Sequence, residues 1–370
     1  MPDQSTIALI LFGGLAVLIL LRVPLGFSLA VAGMTAYIVG GDSLLTMAQS
    51  YYDSVNSFPL IAVPMFFLAG IVMERGGLSR RLVDVAEAMI GGIRGGLGMV
   101  TILASMFFSA ISGSGPATTA AVGGVMVPSL LERKYPRGFA GAIVATGGTL
   151  GVMIPPSIPL ILFGSTAGVS ISDLFVATIV PGILIGCALM LVSYVICVRR
   201  KYGKTVARAK FAAMMKALYE AKWAIMVPVI VLGGIYGGIT TVGGVFSATE
   251  GSAIAVVYAL FVEVFITRSM TRKLFFEIIK SSVRINAAIF LVVASATALG
   301  QIMMYYNLSA AVLDTIMGIS TNKVVIMALI LVVLLILGTF LEAAAIIMIV
   351  TPLLLPVINA IGVDPVHFGI

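Results

Sequence analysis

Between Arg94 and Glu132 the chain carries no charged side chain, yet the middle of that run reads AISGSGPATTAAVGGVMVP, residues 110–128. A bilayer offers no water to backbone N–H and C=O groups, so non-helical backbone is tolerated there only when buried in protein or lining a cavity. An uncharged Ser-Gly-Ser-Gly-Pro break inside such a run is therefore a strong constraint. Composition places the break in a membrane: 60% of residues are hydrophobic and 10% charged, whereas a soluble domain carries about 25% charge. No secretory signal is read at the start, because Ile7–Leu21 is apolar but lacks a basic leader and a small-residue cleavage site. Cys187 and Cys197 fall in one apolar segment and read as buried thiols. Neither a disulfide nor a transition-metal site is expected from them.

The basic residues come in blocks. Arg22 stands alone, followed by Arg75 to Arg94, then Arg133, Lys134 and Arg137. A large block runs from Arg199 through Lys204, Arg208 and Lys210 to Lys222, another from Arg268 to Arg284, and Lys323 is last. Threading spans near 7–21, 24–39, 58–74, 174–198, 223–239, 250–267 and 285–305 puts every block except Lys323 on one face. That face is cytoplasmic by the positive-inside rule, so the N-terminus is expected outside. The net charge of +7 is then topological, and no nucleic-acid partner is needed; the lipid bilayer is the expected surrounding. Between the spans, 78–92, 206–222 and 271–284 have apolar residues every three to four positions, as in helices lying along an interface.

Arg94 and Lys134 share a face, so the segment between them is expected to turn back within the membrane at Ser112–Pro116. Carbonyls freed at such a tip, with the hydroxyls of Ser112, Ser114, Thr118 and Thr119, suit a hard monovalent cation. The half-helix start near Ala117 suits an anion. A small-residue packing motif is the plainer alternative. A second break follows in ATGGTLGVMIPPSIPLILFG, 145–164, where Pro155 and Pro156 sit in mid-span. Each proline disfavours helix at the residue before it, which predicts a discontinuous crossing.

The chain also repeats itself. Leu78, Ser79 and Asp84 recur as Leu308, Ser309 and Asp314, and Pro128, Pro136 and Phe139 as Pro356, Pro365 and Phe368, all at an offset of about 230 residues. In the second copy LGTFLEAAAIIMIVTP, 337–352, takes the place of the first tip, with flanks Lys323 and Asp364 assigned to the outer face. The fold class read from this is an all-α polytopic membrane protein, an inverted repeat with two opposed re-entrant hairpins and broken helices.

The stretches NSFPLIAVPMFFLAGIVMERGGLSRRL, GGLGMVTILASMFFSAISGSGPATTAAVG, GGTLGVMIPPSIPLILFG and GTFLEAAAIIMIVTPLLLP resemble the large membrane subunit of tripartite ATP-independent periplasmic (TRAP) transporters. The likeness covers the whole chain and is most specific over 93–182. It implies an elevator-type importer of the bacterial or archaeal cytoplasmic membrane, driven by sodium and taking carboxylate-bearing solutes such as C4-dicarboxylates or sialic acids. It also implies a small membrane subunit and a periplasmic solute-binding protein as partners. By the same resemblance, 1–94 holds scaffold helices and the first arm, and 95–173 the first hairpin and broken helix of a transport domain. Residues 174–305 would be scaffold with cytoplasmic arms, and 306–370 the second arm and hairpin. Ion-binding positions carried over are Ser112, Gly113, Ser114, Gly147, Thr149, Gly338 and Thr339. Gly115, Pro116, Thr118, Pro155, Pro156 and Glu342 are assigned to substrate. Family members commonly run on past Ile370 into a Thr-Pro-Pro break and a last span, so the chain reads as lacking its C-terminal end. The segment 237–251 looks expanded relative to the family's turn.

Three rivals differ in class. A stand-alone sodium–dicarboxylate symporter would need no binding protein. An intramembrane hydrolase with Ser114 as nucleophile would need a base within reach, and the sole histidine, His367, lies in an expected outer loop. A non-transporting scaffold would have no reason to interrupt helices at the midplane. No enzyme activity is expected. Glu342 and Glu250 are intramembrane carboxylates by position; either proton coupling or a helix-start bond to backbone amides would account for them. The sequence has no phosphate-binding G-x-x-x-x-G-K-[ST], so an ion gradient supplies the energy, and a first tip without a titratable group favours sodium.

Overall fold

The computed structural model describes residues 3–93, 95–203, 211–237 and 246–370, and among these every regular element is helical. In chain order they are α1 (Gln4–Leu20), α2 (Leu25–Gly40), α3 (Leu44–Val55), α4 (Phe58–Gly76), α5 (Leu78–Ile90) and α6 (Gly96–Ser112). Then come α7 (Gly115–Glu132), α8 (Arg137–Thr149), α9 (Ile158–Ala167), α10 (Ile171–Arg199), α11 (Phe211–Tyr236) and α12 (Ala248–Ile266). The last are α13 (Arg272–Tyr305), α14 (Leu308–Ile319), α15 (Lys323–Gly338), α16 (Ala343–Ala360) and α17 (Pro365–Gly369). Six of them (α4, α10, α11, α12, α13 and α16) are long and apolar enough to cross a membrane. The chain forms two compact units, one of residues 1–60, 161–170 and 284–369, the other of 61–160, 171–283 and 370.

The second unit holds the first hairpin. α6 and α7 run to and from the tip, and α8 packs on both. Leu97, Val100, Phe108, Val122, Met126 and Leu130 form its buried seam. Lipid tails are as apolar as leucine, so association here depends on close approach rather than on escape from water. Small residues provide it. A Cβ on Gly147 would stand 2.5 Å from the Ser105 hydroxyl, and one on Gly98 2.5 Å from that of Ser193. Thr101, Ser105 and Ser109, all fully buried, donate to the carbonyls four residues back at 2.9, 2.8 and 2.6 Å. Their polarity is thus absorbed by their own helix.

The arm α5 forms as the 78–92 periodicity predicts. Gly77, at φ +95°, ends α4 and lets the chain bend into α5. Leu82, Val83, Val85 and Ala86 are buried while Arg80 and Asp84 are exposed. Glu87 pairs with Arg133, and Arg81 donates to the Glu220 carbonyl of α11 at 3.2 Å. Although Asp84 is exposed, partial desolvation by its neighbours raises its carboxyl above the ordinary range, partly offset by Arg80.

The other two amphipathic pieces depart from expectation. Residues 211–222 are continuous with the following span in α11, and 272–284 with theirs in α13. Neither junction contains a glycine, a proline or a capping pattern, so nothing stops the helix. Residues 204–210, with Lys204, Arg208 and Lys210, lie outside the described residues, as do Arg94 and 238–245 of the expanded 237–251 segment. Cys197 is buried as expected, but Cys187 is exposed on α10; both are free thiols. Glu250 caps α12: its carboxylate accepts from the Ser247 amide at 2.7 Å while the Ser247 hydroxyl accepts from the Glu250 amide at 3.2 Å. The helix-start alternative therefore accounts for it.

α12 finishes in a π-helical turn, Val262–Ile266, that carries a carboxylate the sequence does not single out. Glu263 is fully buried. One of its oxygens accepts from Thr267 at 2.7 Å and from Ser269, and the other has no partner among the described residues. It lies against Gly76, where any Cβ would overlap the carboxyl group.

The first unit repeats the order bend, arm, hairpin. Asn307, at φ +54°, starts α14 as Gly77 starts α5. α15 and α16 follow, and Ile326, Ile330, Leu354, Val357 and Ile358 form their seam with Val312 and Leu313 of α14 beside it. At this bend the Tyr306 hydroxyl donates to the Gly40 carbonyl at 3.2 Å, and a Cβ on Gly40 would stand 2.6 Å from that hydroxyl. Both bends thus seat a polar side chain on a glycine of a neighbouring helix, with the roles exchanged: the glycine is on the bend at Gly76 and on the partner helix at Gly40.

Candidate functional site: the first hairpin tip

α6 ends because Gly113 takes the left-handed conformation, φ +61°. Ser114 is then extended and serves as N-cap of α7, with Pro116 in the first turn. The Ser114 hydroxyl accepts from the Ala117 amide at 3.5 Å. Ser112 and Thr118, both buried, bring their hydroxyls to 3.0 Å of each other. α8 ends at Thr149 and passes through a single 3₁₀ turn, Leu150–Val152, into an irregular stretch with a cis Pro155–Pro156 bond; helix resumes at Ile158. The broken helix and the tip meet. The Ile158 amide donates to the Gly113 carbonyl at 3.0 Å.

Glycines are what allow this meeting. A Cβ on Gly113 would lie 2.6 Å from the Pro156 carbonyl oxygen. One on Gly151 would lie 2.6 Å from both the Ser114 carbonyl oxygen and the Thr118 hydroxyl. One on Gly115 would lie 3.2 Å from the Gly148 carbonyl oxygen, and one on Gly148 would fall on the Thr119 hydroxyl. The Ser157 hydroxyl, fully buried, donates to the Val152 carbonyl at 2.6 Å. The result is a cluster of uncharged oxygens, from backbone and hydroxyl groups, on two pieces of chain brought together at their helix breaks. Oxygen donors without sulfur or nitrogen suit a hard cation. No cluster of three or more His, Cys, Asp or Glu occurs among the described residues.

Of the positions predicted for this tip, Ser112, Gly113, Ser114, Gly115, Thr118, Pro155 and Pro156 lie together around it. Pro116 is exposed on the first turn of α7. Gly147 faces Ser105 on α6 instead, and Thr149 is exposed with its hydroxyl bonded to the Thr146 carbonyl at 2.7 Å. Thr119, whose hydroxyl the sequence offers for the tip, lies against Gly148 as well, whereas Gly148, Gly151 and Ser157 are not singled out by the sequence. The available signal was the G-G-x-x-G spacing at 147–151, which stacks two glycines on one helix face.

The second tip, in the other unit, is open. Gly338, Thr339 and Glu342 are exposed. Gly338 has nothing within 4 Å of its Cβ position, Thr339 donates to the Ile336 carbonyl at 2.7 Å, and Glu342 precedes α16 without a side-chain cap bond.

The model of the tripartite ATP-independent periplasmic transporter DctM component matches residues 12–370. An isethionate TRAP transporter permease protein of Oleidesulfovibrio alaskensis is 43% identical over 98% of this chain, which spans 56% of that protein. The sialic acid TRAP transporter large permease protein of Vibrio cholerae is 37% identical over 97% of this chain and 83% of its own length. A C4-dicarboxylate TRAP transporter large permease protein of Pseudomonas aeruginosa is 34% identical over 93% and 79%. Among solved structures, the Alcanivorax borkumensis YdaH transporter, described as having an unusual topology, matches with a TM-score of 0.58 at 15% identity, over 87% of this chain and 73% of its own; this likeness speaks to fold alone. The hairpin tips, the broken helix and the match across nearly the full chain agree: this chain belongs to the DctM component family of tripartite ATP-independent periplasmic transporters.

Proposed function

We propose that the chain is the membrane subunit of a secondary importer in which a sodium gradient drives uptake of a small organic anion handed over by a periplasmic binding protein. A small membrane subunit would accompany it in the cytoplasmic membrane, with the N-terminus outside as the charge map supports. The observation that carries the reading is the cluster of uncharged oxygens around Gly113, Gly148 and Gly151. A monovalent cation held there by Ser114, Thr118 and neighbouring carbonyls would bring a positive charge to a place that has none. The start of α7, with its partial positive charge of about half a unit, would then favour an anionic solute beside it. The solutes in the relatives' names are isethionate, sialic acid and C4-dicarboxylates, all anions at neutral pH. Because isethionate carries a sulfonate, the class extends beyond carboxylates. We further assign 95–173 and 306–370 to moving parts and the remainder to an elevator scaffold.

Uptake into proteoliposomes with an imposed sodium gradient tests this, with and without the cognate binding protein. Sodium dependence and binding-protein dependence are both expected. Uptake that persists without the binding protein would favour a stand-alone symporter, and a requirement for a pH gradient abolished by Glu342→Gln would favour proton coupling. Within this cluster, Thr118→Val keeps shape and removes an oxygen. It should raise the sodium concentration for half-maximal uptake about tenfold, the worth of roughly 1–2 kcal/mol. Apparent solute affinity should fall at low sodium and recover at high sodium, because the two bindings are linked. Ser114→Ala should do less, since it is the Ser114 carbonyl, not its hydroxyl, that faces Gly151. Equal sodium curves for the parent and Thr118→Val would make the tip a packing turn.

A further inference from the structure

The first unit borders an open cavity of about 770 Å³ between the end of α3, the start of α4, the end of α9, the later half of α13, the start of α14 and one face of α16. We propose that this cavity binds the ammonium-bearing head of a small amphiphile, an aminophospholipid or a free primary amine. Five polar side chains line it without a hydrogen bond to any other described residue: Asp53, Ser57, Ser165, Asn307 and Asn359. Asp53, Asn307 and Asn359 are exposed and Ser57 and Ser165 partly so, which leaves all five free to turn to a ligand that enters the space. Among the described lining residues Asp53 alone has a formal charge, so an anion would meet repulsion with nothing to offset it. That separates the cavity from the anion path proposed above. The volume is that of a small-molecule site, far larger than a bare ion fills. A carboxylate flanked by amide and hydroxyl oxygens suits a donor with several N–H groups, and a charge-assisted hydrogen bond is the strong kind. The rest of the wall, with Leu60, Met304, Met348 and Leu355, is apolar and adaptable, the thioethers especially, which suits a hydrocarbon tail.

The test uses the full chain purified in detergent. Native mass spectrometry is run after exchange into equal mixtures of phosphatidylethanolamine and phosphatidylcholine, which differ in N–H donors but not in net charge. Retention of phosphatidylethanolamine about tenfold over phosphatidylcholine, lost in Asp53→Asn, is expected if the source is lipid. Saturation-transfer signals from free ethanolamine, lost in Asp53→Asn, are expected if it is a free amine. If Asp53→Asn does not give a monodisperse protein, Asn359→Leu serves for the same comparisons. Absence of both effects in the parent, or their survival in both variants, would overturn the proposal. Neither measurement depends on transport, so failure here is distinct from failure of the importer reading.

Discussion

Gly151→Ala should sharply reduce sodium-dependent uptake at sodium concentrations that just saturate the parent. The added methyl would stand 2.6 Å from the Ser114 carbonyl oxygen and from the Thr118 hydroxyl. The first of these is backbone and cannot rotate away. Either the tip moves by several tenths of an ångström or the methyl occupies the space the oxygens surround. Overpacking of this kind costs about 1–3 kcal/mol, and both responses fall on the cation, so a loss of sodium affinity of about ten- to a hundredfold follows. Sodium titration of uptake measures it, with gel filtration confirming a folded protein. Gly141→Ala in the preceding helix α8, with nothing within 4 Å of its Cβ position, is the control and should be silent. A parental sodium curve in Gly151→Ala would mean that no ion sits at this tip.

A second large effect is expected at the bend before α5. Gly76→Ala would drive a methyl into the Glu263 carboxyl group, which is fully buried and already holds Thr267 and Ser269. Thermal stability in detergent should drop by an amount equivalent to about 2–4 kcal/mol, since overpacking and a displaced buried carboxylate combine. Glu263→Ala should also destabilise, by leaving the two hydroxyls and a void. The double variant should be more stable than the sum of the two losses allows, because the methyl then occupies vacated space. Such a coupling of 1 kcal/mol or more in a double-mutant cycle is diagnostic of contact. Simple additivity would show that the two residues do not touch.

These two sites also mark how far the sequence could be read. The tip and the broken helix were legible because Gly, Pro and uncharged context act locally: Gly113 stops one helix, Pro155 and Pro156 interrupt another, and no partner is needed to know it. The arm α5 was legible from its periodicity, and the repeat from identities at one spacing. The tails of α11 and α13 were misread because an interfacial helix and the extension of a spanning helix share the same 3.6-residue period. Glu263 was passed over because its environment is set by Gly76, a residue far away in sequence. The roles of Gly148 and Gly151 depend on the register of α8 against α7, which no local pattern states. Thr149 and Gly147 sit on other faces of α8 for the same reason.

The bond from the Ile158 amide to the Gly113 carbonyl has a mechanical corollary. It staples the hairpin tip to the restart of the broken helix, over hydroxyls that are themselves buried at Ser112 and Thr118. Peeling this tip away would break the staple and uncover those hydroxyls at once, so it behaves as a riveted plate rather than a door.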